Sequence, residues 1–138
     1  MRDNLIFLTT TYLPNRNRGK QPNDDVLFAP KWHPILIQAI DDLCYLLSRR
    51  YSDSSSLELV GNRYKLNKRQ RPAVYRISTG APSILKRSQS HIPHPELVGK
   101  TIEIDGFNLL ILLESALSGA YIFKSRDGTY RDISSVHG

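Results

Sequence analysis

At 138 residues, with 40% hydrophobic and 23% charged residues, the chain has room for one modest folded unit, or one with a docked helical segment, and not for two large cores. The formal charge of +6 is unevenly placed: residues 1–100 carry 16 Lys/Arg against 8 Asp/Glu, whereas residues 101–138 carry 3 against 5. A single cysteine, Cys44, excludes an intrachain disulfide and a multi-cysteine zinc site, and no apolar run approaches the roughly 18 residues of a membrane span.

A reducing, cytoplasmic setting without a membrane partner is the expectation. Residues 1–30 combine turn formers such as Pro14, Gly19 and Pro22 with little hydrophobic period, and read as a polar basic arm with one short strand at Leu5–Thr9. Residues 31–99 read as a mainly helical, basic segment with a loop. Its first element spans Pro34 to Arg50, where Leu36, Ile40, Leu43 and Leu47 form one stripe and Gln38, Asp41, Asp42 and Arg49 lie opposite. Arg49 and Arg50 suit the negative end of the helix dipole, which accounts for them without a ligand.

After the serine-rich turn at 52–56, Leu57–Val60 reads as a strand or a helical turn. Asn67 then stands as a helix N-cap, with Gln70 placed for the reciprocal contact and Pro72 near the end of the first turn. Ala73, Val74 and Ile77 fall on one side of this helix, and Lys68, Arg69, Arg71 and Arg76 on the other, with Tyr75 among them. From Arg63 to Arg76 there are six cations and no acid: Arg63, Lys65, Lys68, Arg69, Arg71 and Arg76. Cations interleaved with Tyr64 and Tyr75 suit phosphate neutralisation with base stacking, and a solvated helix face is the alternative. Ala81–Pro95 reads as a linker or surface loop, with a boundary near Gly99. His91 and His94 lack the helical presentation of zinc motifs, so no zinc is expected.

In residues 100–138, Thr101–Asp105 reads as a short strand. Leu109–Leu117 reads as a helix apolar all round, which places it against a sheet and other helices, with Gly119 ending it. Asp105 would then sit where α/β sheets bind ligands, with Asn108 capping the helix and Glu114, its one charge, facing the site or solvent. A second strand, Tyr121–Lys124, precedes Asp127-Gly128 and Asp132. Two readings stay open. A parallel neighbour would bring Asp127 beside Asp105, and converging carboxylates bind Mg²⁺ or Mn²⁺. An Asp-Gly pair between apolar runs is equally a type I′ hairpin signal.

Leu59-Val60-Gly61-Asn62-Arg63-Tyr64, Arg69-Gln70-Arg71, Ile104-Asp105-Gly106-Phe107-Asn108, Glu114-Ser115-Ala116-Leu117-Ser118-Gly119, Arg126-Asp127-Gly128 with Arg131-Asp132, and Val136-His137-Gly138 occur in that order. On this series the chain, from about Gly19 to its end, is similar to the uncharacterised prokaryotic family called domain of unknown function 434, which has no established activity to transfer. More broadly, strand-Asp-Gly-aromatic-Asn-helix resembles the opening of PIN-like and NYN-type ribonuclease domains.

The broader resemblance implies an α/β fold, a helical N-terminal part packed on the opening strand-helix-strand unit of a PIN-like sheet. It also implies Asp105 as a metal ligand and Asn108 as a residue that shapes the site. Asp127 joins them as a catalytic candidate, and Asp127 and Asp132 as further ligands of Mg²⁺ or Mn²⁺. Such domains draw more ligands from later strands, so a truncated, catalytically incomplete relative is part of the expectation. The competing expectation is a non-catalytic RNA-binding or protein-interaction module. Self-association is a third, because the apolar helix needs cover on several sides.

Overall fold

The computed structural model describes residues 20–133, so the strand predicted at Leu5–Thr9 and the Val136-His137-Gly138 motif lie outside the described residues. A four-residue α1, Asp24–Leu27, and a 3-10 turn at Pro30–Trp32 lead into α2, His33–Ser48. Then come α3, Asp53–Arg63; α4, Gln70–Ile77; α5, Ala81–Ser90; a 3-10 turn at His94–Leu97; α6, Gly106–Leu117; and two short strands, β1, Phe123–Lys124, and β2, Tyr130–Arg131. The class is mixed α/β, mostly helical with one small antiparallel ribbon.

The core follows the predicted stripe of α2. Leu36, Ala39, Ile40 and Leu43 are buried against Val60 of α3, Ala73, Val74 and Ile77 of α4, and Phe123 of β1. Each such large side chain removed from water contributes about 1.5–3 kcal/mol. The capping contact predicted for α4 is present: Asn67 Oδ1 accepts from the Gln70 amide at 2.9 Å, and Gln70 Oε1 accepts from the Asn67 amide at 3.3 Å. Gln70 is fully buried and its Nε2 donates to the Leu27 carbonyl at 2.9 Å, so the cap residue also ties α4 to α1.

Three segments differ from expectation. Asp53–Arg63 form one helix where a serine-rich turn and then a strand or a helical turn were expected, because Ser52 acts as an N-cap whose Oγ accepts from the Ser55 amide. The predicted loop at Ala81–Pro95 contains α5. Pro82 lies in its first turn, where a missing donor costs little, so the glycine and proline punctuation that suggested a loop brackets a helix that is exposed along nearly its whole length.

The largest difference lies at 101–117. Residues 101–105 are irregular and exposed, with no strand beside them among the described residues. They have no ladder partner there, so the strand-helix-strand opening of a PIN-like sheet is not seen among the described residues. Helix α6 does form, but only Ser115 is buried; Phe107, Leu110 and Leu117 are 69%, 66% and 68% exposed. Ser115 Oγ ties it to the body by donating to Asp132 Oδ2 at 3.0 Å.

The two strands settle the pairing left open by Asp127-Gly128. They are antiparallel, with Phe123 opposite Arg131 and Lys124 opposite Tyr130. The turn is not type I′, which needs positive φ at both central residues; within it only Gly128 has one, at 82°. The Ser125 amide donates to the Thr129 carbonyl at 2.8 Å and the Gly128 amide to the Ser125 carbonyl at 2.9 Å, closing a three-residue loop with glycine in the left-handed position. This hairpin docks on the end of α4 through Ser125 Oγ and the Arg126 amide, both donating to the Ile77 carbonyl, at 2.8 and 2.9 Å.

The last residues of the expected 1–30 arm, from Asp24 to Phe28, are part of the body. Phe28 packs on Tyr121 and Phe123 with ring centroids 5.2 and 5.3 Å away, and the Tyr121 hydroxyl donates to Asp25 Oδ1 at 2.8 Å. Burial, reinforced by the Asp25 bond, pushes the Tyr121 phenol up to about 12. In the unfolded chain it titrates near its ordinary value of 10.0. The native state therefore holds the proton between those two values, and its contribution, complete below pH 10, is lost as pH rises through about 12. Unfolding midpoints measured from pH 9 to pH 12 are expected to fall more steeply for the wild type than for Tyr121→Phe, which lacks the titrating group.

Candidate nucleic-acid interface

Helices α2, α3 and α6 end in one geometry. After α2 the Arg50 amide donates to the Leu47 carbonyl at 3.0 Å and the Tyr51 amide to the Leu46 carbonyl at 3.2 Å. The same pair of bonds closes α3 at Lys65 and Leu66, and α6 at Gly119 and Ala120. The left-handed residue is the predicted glycine only in α6, where Gly119 has φ 74°. At the other two ends it is Arg50, at 62°, and Lys65, at 52°. A side chain in that conformation costs about 1–2 kcal/mol. At Arg50 the cost goes with a defined position, because Arg50 lines a cleft.

That cleft, of about 630 Å³, opens between the end of α2, the last turn of α4, the start of α5 and β2. Four arginines line it: Arg50, Arg76, Arg87 and Arg131. Asp53 is the one carboxylate among its lining residues, and it already accepts from the Tyr75 hydroxyl at 2.7 Å. That bond first, and burial second, hold the Tyr75 phenol above its ordinary value, so it stays a neutral ring. Tyr51 and Tyr75 are 59% and 38% exposed at the rim. Gly80 lets the start of α5 press against the end of α2, where a Cβ would lie 3.0 Å from the Leu47 carbonyl carbon and oxygen. The first amides of α5 are already engaged, Ala81 by Ser48 Oγ and Ser83 and Ile84 by the Gly80 carbonyl, so the arginines are the cleft's principal anion donors.

Asp127 holds two of the four. Its side chain is fully buried, and its Oδ2 accepts from Arg131 Nη2 at 3.0 Å and ion-pairs with Arg87 Nη1. Its Oδ1 accepts from the Thr129 amide at 3.0 Å and the Thr129 hydroxyl at 2.6 Å. Arg50 and Arg76 have no carboxylate partner among the described residues.

The predicted carboxylates are not brought together. Asp105 is exposed and accepts from Asn108 Nδ2 at 2.7 Å, Asp127 is the arginine clamp, and Asp132 is buried and accepts from Ser115. Among the described residues no group of three or more His, Cys, Asp or Glu is arranged to hold a metal ion. The six predicted cations also divide. Arg69 makes a two-pronged ion pair with the fully buried Asp24, Nε to Oδ1 and Nη2 to Oδ2, each at 2.9 Å. Arg71 donates to the Leu66 carbonyl at 3.0 Å and to Asn62 Oδ1 at 2.8 Å, filling the space above Gly61. Both side chains are thus engaged by partners within the fold. Arg63, Lys65 and Lys68 are exposed, Arg63 lying 3.4 Å from Asp42, and only Arg76 faces the cleft. The sequence reading passed over Arg50, Tyr51, Arg87 and Arg131. The lack of a glycine after α2, where Arg50 takes the left-handed position, is a local signal of Arg50.

Comparison with known proteins divides the chain in two. Residues 35–89 match a family model described as protein of unknown function (DUF434), and residues 94–138 match one described as domain of unknown function (DUF5616). The chain is also similar to an uncharacterised protein, MJ0935, of Methanocaldococcus jannaschii: 37% identical over 101 residues, which make up 73% of this chain and 49% of the relative. It thus spans about half the length of the curated relative it matches. No solved structure matches it. None of these descriptions names a ribonuclease. Arg50, Arg76 and Arg87 belong to the first matched segment and Arg131 to the second, so the cleft forms where the two meet.

Proposed function

We propose that this chain is a non-catalytic RNA-binding module whose cationic cleft grips the phosphate backbone. The observation that carries the reading is the convergence of Arg50, Arg76, Arg87 and Arg131, from four separate places in the chain, on one open cleft rimmed by Tyr51 and Tyr75. Guanidinium groups pair with phosphate through two parallel donors, and exposed aromatic faces accept unpaired bases. Binding is favoured over metal-dependent cleavage because the three candidate carboxylates are dispersed and each already serves neighbouring donors. No helix among the described residues is long and apolar enough to cross a membrane, which leaves a membrane contact without a spanning element.

Arg50 provides a test that separates function from folding. Arg50→Gly relieves a left-handed arginine and is expected to raise unfolding stability by about 1 kcal/mol. The same variant is expected to bind RNA more weakly, with the slope of log affinity against log salt reduced by about 0.7, the share of one phosphate contact on a single strand. Arg76→Ala is expected to lower the slope similarly with little change in stability. Fluorescence anisotropy of a labelled oligoribonucleotide between 50 and 300 mM salt measures both. Salt-insensitive binding, or an Arg50→Gly/Arg76→Ala protein that binds like the wild type, defeats the reading.

A further inference from the structure

Arg76, Arg87 and Arg131 do not belong to one cleft alone. A second hollow, of about 460 Å³, is lined by the same three side chains. It differs in chemistry from the first: Leu109, Ile111 and Leu112 of α6 give it an apolar wall, and Tyr130, 48% exposed, stands beside them. A row of three guanidiniums is therefore shared by an aromatic, arginine-rich hollow and an aromatic, aliphatic one. Inorganic phosphate or a lone nucleotide would use one of the two hollows. A polymer with phosphates at regular intervals and flat apolar groups between them would use both.

We infer that the site takes an unpaired RNA strand at least two nucleotides long, its backbone on the Arg76–Arg87–Arg131 row, one base against Tyr51 or Tyr75 and the next against Tyr130 and the α6 leucines. The inference rests on the RNA-binding reading above and adds the strandedness, the length and the second base position. A duplex keeps its bases stacked inward and offers proteins phosphates and 2′-hydroxyls over about 16 base pairs, a contact this short row cannot span. Stacked bases presented by a single strand fit both hollows, because every base has a π-face. Tyr130 is a suitable second platform: its backbone is pinned opposite Lys124 in the ribbon while half of its side chain remains in solvent.

The experiment is a set of anisotropy titrations of the full chain with labelled oligouridylates of two, four and eight nucleotides, an eight-nucleotide DNA of matching sequence, and a 16-base-pair RNA duplex. Affinity is expected to rise with single-strand length until both hollows are filled. The duplex is expected to bind at least about tenfold more weakly than the octamer. Tyr130→Ala is expected to weaken octamer binding about tenfold, the effect of losing one stacked base, without changing the salt slope, and Tyr130→Phe to restore it. Equal affinity for duplex and octamer, or an unchanged Tyr130→Ala protein, overturns the inference and leaves the arginine cleft standing. Failure to bind any of the nucleic acids overturns both. Equal binding of RNA and DNA single strands supports the stacking geometry and assigns no role to the 2′-hydroxyl.

Discussion

Replacing Arg69 by alanine is expected to destabilise the fold by about 3–5 kcal/mol, a large part of the 5–15 kcal/mol that holds most domains folded. The reason is what the substitution leaves behind. The Asp24 side chain is fully buried; the Gln21 amide donates to its Oδ2 at 2.9 Å, and Arg69, itself 14% exposed, supplies a charged donor to each of its two oxygens. Without them a carboxylate must be uncovered, protonated or left unpaired, and each alternative opposes folding. Leucine at Asp24 together with methionine at Arg69 removes both charges, so the double variant is expected to recover most of the loss. Urea unfolding of the three proteins measures this. RNA affinity of Arg69→Ala, at a temperature where it is folded, is expected to match the wild type, because Arg69 faces Asp24 rather than the cleft. A selective loss of affinity with stability unchanged would return Arg69 to the nucleic-acid interface.

The fate of Arg69 shows where the sequence was legible and where it was not. Local rules read well: the α2 stripe, the Asn67–Gln70 cap and Gly119 each depend on residues within a few positions of one another, and each is present in the structure. Charge, by contrast, has no period that reveals its partner. Arg69 sits in the same cationic run as Arg76, yet a carboxylate 45 positions earlier takes the first and the cleft takes the second. The cleft was hidden because its four arginines are spread from Arg50 to Arg131 and only the fold gathers them. The strand at Thr101–Asp105 was misread for a related reason. Its residues have strand propensity, but a strand is a relation to a neighbour, and no neighbour lies beside it among the described residues.

Asp127 is where the catalytic and binding readings make opposite predictions. As a metal ligand it would be required for function, and a neutral residue in its place would abolish metal-dependent cleavage while sparing the fold. As the clamp on Arg87 and Arg131 it holds two like charges together from a fully buried position, and three further bonds close the hairpin loop and fasten it to Thr79. Asp127→Ala is accordingly expected to cost about 3–5 kcal/mol in urea unfolding, the usual penalty for breaking a buried ion pair, with part regained at high salt as the arginines are screened. Asp127→Asn keeps an acceptor for the Thr129 amide and removes only the charge, so it is expected to cost less. Its cleft gains one unit of positive charge, and the folded variant is expected to bind RNA more tightly than the wild type, with a steeper salt slope. Anisotropy of Asp127→Asn below its unfolding transition, with and without Mn²⁺, decides between the readings: tighter, metal-indifferent binding fits a counter-ion that restrains the cleft, and loss of a Mn²⁺-dependent cleavage seen in the wild type would mark Asp127 as a catalytic ligand instead.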